Sequence, residues 1–235
     1  MTSTIERVRR IPDNFRDYFF PKNCLNCHAE GHWLCESCAD SLFLIDSRFC
    51  PFCGRVGDLF DVCQKCRTRA GIIKVFSLFR YGDSLAQKLV KSLKYRYLKD
   101  IAQELTPVMR KFIFKYKNLL DADGAVLVPV PLHWYKECAR GFNQAEELAK
   151  IAGEILGLPV LNNLVSKKWT KNQAELERGE RFSNLKNCFI VRSPAPKNII
   201  IVDDVFTTGS TVRELALALK SKGAENIQVI TLARG

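Results

Sequence analysis

The sequence predicts an α/β fold, a parallel sheet flanked by helices, preceded by a small cysteine-rich domain. Three observations predict it. Ile199 to Val202 form an unbroken apolar run, as a strand buried on both faces requires, and a helical pattern at Val212, Leu215, Ala216 and Leu219 follows. A second strand, Gly124 to Pro131 with Val126 to Val128 at its centre, is followed by helical spacing at Ala145, Leu148, Ala149, Ala152, Ile155 and Leu156. Eight of the ten cysteines fall between residues 23 and 70, in four Cys-x-x-Cys pairs. The 235 residues suffice for one large domain or two smaller ones, and 47% apolar content is ordinary for a globular core. A net charge of +11 suits an anionic partner, without choosing between nucleic acid, a polyphosphate and mere solubility.

Residues 1–22 read as a charged leader. They lack the apolar core of a signal peptide, and no later run is long enough for a membrane span, so a cytoplasmic, soluble chain without membrane insertion is expected. Arg7, Arg9 and Arg10 either touch an anion or lie solvated.

Residues 23–70 form a separate unit. Cys24/Cys27, Cys35/Cys38, Cys50/Cys53 and Cys63/Cys66 each present two thiolates from one tight knuckle, and four knuckles complete two tetrahedral Cys₄ zinc sites. A reducing compartment disfavours disulfides. Sequential pairing closes loops of seven and nine residues, and cross-brace pairing, first knuckle with third, is the alternative. His28 and His32 find no vacant position among four complete pairs. All-thiolate sites with no open position are structural, and so small a segment needs metal to fold.

The second domain is expected over residues 71–235. Residues 72–80 read as a strand, and Asp83 or Ser84 caps a helix whose stripe runs Leu85, Leu89, Leu93, Ile101, Leu105. Pro107 kinks or ends it, and more helix follows from Val108 to Phe114. From Lys74 to Lys117 there are eleven Lys and Arg against three Asp and Glu, a local net of 11 − 3 = +8. Lys91, Lys94, Tyr95, Arg96 and Lys99 interleave cations with aromatics, which suits single-stranded nucleic acid, or simply a solvated basic face.

The strand at residues 124–131 leaves through Pro129, Val130 and Pro131 into His133, Lys136, Arg140 and Gly141, the pattern of an anion-binding loop. After Ile199 to Val202 come Asp203 and Asp204, then Val205, Phe206 and the hydroxyl-rich turn Thr207, Thr208, Gly209, Ser210, Thr211. A strand, a tight turn and a helix N-terminus make a phosphate cradle. Carboxylates beside it would repel a bare phosphate, but they fit a ligand that also brings hydroxyls or hydrated Mg²⁺, as a ribose 5-phosphate does. Cys138 and Cys188 read as small packing residues.

This string resembles the phosphoribosyl-pyrophosphate (PRPP) fingerprint of type I phosphoribosyltransferases. Val128 to His133, Arg140 to Ala145, Thr170 to Gln173, Leu176, Arg181 and Asn184 together resemble the ComF family, as do the double zinc ribbon and Lys94-Tyr95. The resemblance implies a type I phosphoribosyltransferase-like sheet. It implies PRPP with Mg²⁺ as ligand, Asp203 and Asp204 as catalytic residues and Val205 to Thr211 as the cradle. Pro129, Val130, Pro131, Lys136 and Arg140 would form the pyrophosphate loop. The polar stretch 167–183 would be a closing loop bringing Arg178 and Arg181 to the diphosphate, or else an ordinary surface excursion. Lys136 stands where the family usually has Arg, keeping the charge but losing the bidentate fork. Thr207 occupies the place of a base-contacting Asp in purine-salvage members, so no hypoxanthine or guanine transferase activity is expected. The family implies a role in competence, DNA uptake or DNA use, with single-stranded DNA and competence proteins such as a ComF-type helicase as partners. A phosphoribosyltransferase with an unidentified acceptor and a non-catalytic adaptor are the alternatives.

Overall fold

A computed structural model describes residues 22–94, 98–167 and 188–235, with only the backbone of residues 98 and 99. In chain order the elements are α1 (Glu36–Asp40), α2 (Gln64–Ala70), β1 (Lys74–Arg80), α3 (Ser84–Ser92), α4 (Leu98–Tyr116), β2 (Val126–Pro129), α5 (Trp134–Arg140), α6 (Gln144–Leu156), β3 (Val165–Lys167), β4 (Phe189–Val191), β5 (Asn198–Phe206), α7 (Ser210–Lys220) and β6 (Asn226–Arg234). Strands β1, β6, β5 and β2, in that spatial order, form one parallel sheet; β3 and β4 pair antiparallel beside it.

The apolar run in β5 is buried on both faces, each residue at most 1% exposed. Alternation divides it. Ile200 and Val202 pack with Leu127, Ile230 and Leu232 beneath α3, α4 and α6, while Ile199 and Ile201 pack with Val128, Ile227 and Val229 beneath α7. Helix starts are set by side chains the sequence supplies. Asp83 accepts from the N–H groups of Leu85 (2.8 Å) and Ala86 (3.2 Å), and Asn143 accepts from Ala145 N–H (3.1 Å). Gly157, at φ 68°, closes α6 in the left-handed conformation.

The cysteine-rich head is joined to both faces of the sheet. Its first half lies on α3 and α4: Lys22 pairs with Asp100 at 3.0 Å, Lys88 Nζ donates to Leu25 O (2.9 Å), and Leu34 N–H donates to Glu104. Its second half reaches the α7 face through Cys50 and Val62, with Val62 N–H donating to Ile73 O (2.9 Å). Phe60 sits between, against Phe76, Phe112 and Tyr116 with centroids 4.8 to 5.9 Å apart.

Several expectations change. Strand β5 continues through the acidic pair to Phe206, because Asp203, Val205 and Phe206 stay in register with Thr231, Ala233 and Arg234 of β6. That strand β6 has no counterpart among the sequence expectations. Pro107 lies inside α4 without ending it, since Leu105, Val108, Met109 and Phe112 are buried on either side of the one backbone bond that proline removes. The stretch after Pro131 is mostly helix α5, not loop. Cys188 is buried as expected, but Cys138 is exposed on α5 and packs into no core. Among the described residues, no helix is long and apolar enough to cross a membrane.

Candidate functional site

The structure brings the candidate residues to the carboxyl edge of the parallel sheet, where open α/β sheets present loops to ligands. Strand β5 carries the acidic pair out of the core. Asp203 is partly buried and accepts from Asp204 N–H through Oδ1 at 2.9 Å. Burial and the neighbouring Asp204 charge push its carboxyl well above the usual range, against the pull of Lys167. Two carboxylates so placed resist ionising together, and a cation or donor hydroxyls would stabilise the doubly charged form.

The turn follows directly. Thr207 and Thr208 are exposed, and Gly209 is buried at φ 69° with no side chain capping α7. Thr208 Oγ1 and Ser210 Oγ share a hydrogen bond of 2.7 Å. Ser210 N–H donates to Thr208 Oγ1 at 3.4 Å, so the turn partly caps itself, and the N–H groups that follow in the first turn of α7 are the ones that could meet a ligand.

One cation reaches the acidic pair from another element. Lys94, at the end of α3, reaches Asp204 Oδ2 at 4.0 Å. The Lys136 ammonium, on the exposed helix α5, is pulled below its ordinary value by partial loss of solvent and by the charges of Lys167, Arg140 and Lys94. Lys94 was expected among the nucleic-acid contacts; its position puts it beside the acidic pair. Lys91 is exposed on α3. Tyr95, Arg96, Arg178, Arg181 and the rest of residues 168–183 lie outside the described residues, as does the side chain of Lys99. Many other cations of the basic stretch are engaged elsewhere: Lys74 with Asp61, Lys111 with Asp40 and Lys115 with Asp46.

Val130 and Asn143 fix the chain where it leaves β2. Val130 N–H donates to Val202 O (2.9 Å), continuing the pairing past Pro129, and Asn143 Nδ2 donates to Val130 O (3.1 Å). A polar cleft of about 380 Å³, lined by Pro129, Pro131, Trp134, Asn143, Lys167 and Arg192, opens there. Across the edge, a second cleft of about 350 Å³ lies between head residues Ile45, Ser47 and Phe49 and the strand ends Arg80 and Arg234. Arg234 Nη1 donates to Ser47 Oγ (3.0 Å), so the head overhangs this side of the edge. Sequence reading did not single out Asn143 or Arg234 and left open whether the head covers the site; only the polar Asn143 at a helix start offered a local signal.

The cysteines gather sequentially: Cys24, Cys27, Cys35 and Cys38 in one cluster, Cys50, Cys53, Cys63 and Cys66 in the other, each with its sulfurs within 4.8 Å of one another. The Sγ atoms of Cys27 and Cys35 are 3.5 Å apart, and those of Cys53 and Cys63 are 3.6 Å apart. A tetrahedral site with Zn–S near 2.3 Å has sulfur–sulfur edges of about 3.8 Å. The donors therefore fit zinc. Their acidities agree. At Cys24, burial is outweighed by backbone N–H donors, bringing the thiol down to about 6. At Cys35, a backbone donor is outweighed by neighbouring sulfurs, and the thiol is pushed up to about 12. In the other cluster burial of Cys50 is likewise overcome, giving about 7, while burial and the other sulfurs drive Cys66 to about 12. With Cys35 and Cys66 held protonated near neutral pH, a divalent cation is what would let each cluster present four thiolates.

The fold and these centres define a phosphoribosyltransferase-type domain carrying a double zinc ribbon. A double zinc ribbon family model matches residues 15–67, and a phosphoribosyl transferase domain model matches residues 140–235. The chain is 30% identical to Competence protein F of Haemophilus influenzae over 232 residues, 92% of this chain and 98% of that one. It is 30% identical to Competence protein ComFC of Bacillus subtilis, covering 86% and 84% of the two chains, and 30% identical to the DNA utilization protein YhgH of Escherichia coli, covering 91% and 97%. The chain belongs to this ComF family of competence and DNA-utilisation proteins.

Proposed function

We propose that this chain binds PRPP with Mg²⁺ at the carboxyl edge of its sheet and handles single-stranded DNA beside that site, in the cytoplasm, during DNA uptake or use. One observation carries the reading: the acidic pair at the end of β5, with Lys94 at 4.0 Å from Asp204, runs straight into a turn and a helix start. Asp203 and Asp204 would hold the ribose hydroxyls and the Mg²⁺, which when bound supplies neutralising charge for the diphosphate. Lys94, Lys136, Arg140 and Lys167 would take the diphosphate oxygens, and Thr207 to Thr211 the 5-phosphate. A rise in melting temperature with PRPP and Mg²⁺ tests the reading, since a ligand that binds only the folded chain stabilises it by about 2.7 kcal/mol at one hundred times its Kd.

DNA contact is supported by α5, none of whose residues is buried. Trp134 and Tyr135 are 63% and 60% exposed, next to Lys136 and Arg140. Exposed aromatics among cations are a stacking platform for single-stranded bases. Trp134→Ala/Tyr135→Ala is expected to weaken binding of a short oligonucleotide by about tenfold or more, on the scale of one to two stacked bases, while the PRPP response persists. Filter binding across a salt series checks this, with a steep salt dependence expected in the native chain.

Catalytic transfer to an acceptor is the second reading, favoured by the cleft between Arg80, Arg234 and Phe49, which lies next to the Asp203 strand. Thr207 cannot accept a proton at neutral pH, so no nucleoside monophosphate is expected from hypoxanthine or guanine; product detection by chromatography after incubation with PRPP checks this.

A further inference from the structure

Phe52 sits between two ligands of the second cysteine cluster, Cys50 and Cys53, on the tip of its knuckle. Its ring meets Phe206, the last residue of β5, edge to face with centroids 5.3 Å apart. It also covers the phosphate turn. A Cβ placed on Gly209 would lie 2.6 Å from Phe52 Cε1, and closer still to the Phe206 ring. Gly209 is therefore held at φ 69° under two aromatic rings, one from the sheet and one from the zinc ribbon. The same ribbon is tied at a second point, where Arg234 Nη1 donates to Ser47 Oγ at 3.0 Å and to Phe49 O at 3.5 Å. The first ribbon shares none of these contacts. Its bonds among the described residues run to α3 and α4, through Leu25, Leu34 and Lys22.

We infer that the second zinc ribbon is part of the phosphate turn: Phe52 is a positioning residue that fixes Gly209 and the start of α7, and metal in the Cys50/Cys53/Cys63/Cys66 cluster is required for that order, while metal in the first cluster is not. The inference deepens the proposed ribose-phosphate site and rests on that reading only for its effect on ligand affinity. The coupling is physical. Metal fixes the knuckle backbone, the knuckle fixes the Phe52 ring, and the ring closes the space above Gly209 that the turn would otherwise explore.

The test uses the full zinc-loaded chain and two readouts. Hydrogen exchange of a peptide spanning residues 204–213 reports the turn without any ligand. Phe52→Ala, with two zinc ions per chain retained, is expected to speed that exchange about tenfold and leave peptides from α6 unchanged, and Phe52→Tyr is expected to restore it. Cys53→Ser is expected to do the same through loss of one zinc ion, and Cys27→Ser to lose one zinc ion without touching the turn. Unchanged exchange in Phe52→Ala, or equal loosening in Cys27→Ser and Cys53→Ser, would overturn the inference. The second readout is the PRPP–Mg²⁺ thermal shift. A native response that Phe52→Ala weakens about tenfold in apparent affinity supports the positioning role, and an identical response overturns it. Absence of a shift in the native chain would count against the ligand reading instead, and exchange alone would then decide the coupling.

Discussion

Asp203→Asn is expected to stabilise the ligand-free chain and to abolish its response to PRPP and Mg²⁺. The carboxyl of Asp203 is pushed well above its usual range by burial and by Asp204. A native-state pKa above the unfolded one means that folding favours the protonated acid. The associated stability is fully present below the ordinary carboxylate range and is lost as pH rises through the raised native value. Asparagine keeps the Oδ1 that accepts from Asp204 N–H but carries no charge. The variant is thus expected to melt about 2–4 °C higher at pH 8, a gain of about 1 kcal/mol for a chain of this size, and to show a flatter pH dependence. It also loses a carboxylate that a hydrated cation or ribose diol needs. Melting curves from pH 5 to pH 8, with and without ligand, check both halves. Instability bought with unliganded charge is the signature of a binding site rather than a structural pair.

Removing zinc is expected to unfold the head and to lower the melting temperature of the whole chain by well over 10 °C. A structural zinc site contributes about 10–16 kcal/mol in small domains, as large as the entire stability of an ordinary protein. Here the loss would not stay local. Cys24, Leu34, Cys38, Leu42 and Phe60 belong to the same buried cluster as Leu105, Val108, Met109 and Phe112 of α4. Unfolding the head would expose that face to water. Two zinc ions per native chain are expected by elemental analysis. Because the clusters are sequential, Cys27→Ser should leave one zinc ion, with the second ribbon still loaded. A cross-brace arrangement would instead put Cys27 on one ion with Cys50 and Cys53, so the same variant would free thiols in the second half of the head.

The sequence made the site legible where chemistry and position coincide. Ile199 to Thr211 carries a buried strand, an acidic pair and a helix-start turn in one contiguous run, so no tertiary information was needed to assemble them. Cys-x-x-Cys knuckles are equally local, and short loops correctly favoured sequential grouping. The boundary of β5 was less legible, because polar Asp203 and Asp204 read as an exit although β6 keeps them in register. Strand β6 itself has an apolar run, Ile227, Val229, Ile230, Leu232 and Ala233, buried around Gln228 and Thr231, whose polarity masks it; the Thr231 and Ser77 hydroxyls share a hydrogen bond of 2.8 Å between adjacent strands. Helix α5 left no apolar stripe since it buries nothing. The approach of Lys94 to Asp204, and the contact of Phe52 with Gly209, join residues far apart in the chain. No local pattern encodes such meetings; they follow from parallel topology and from the head docking on the sheet's edge.

The most direct measurement is a thermal-shift titration of the zinc-loaded chain with PRPP in the presence and absence of Mg²⁺, beside Asp203→Ala/Asp204→Ala protein of equal zinc content. A concentration-dependent rise in the native chain that requires Mg²⁺ and vanishes in the double variant is the predicted result. No rise at millimolar PRPP, or an equal rise in both proteins, would contradict the assignment of the acidic pair and phosphate turn as a ribose-phosphate site.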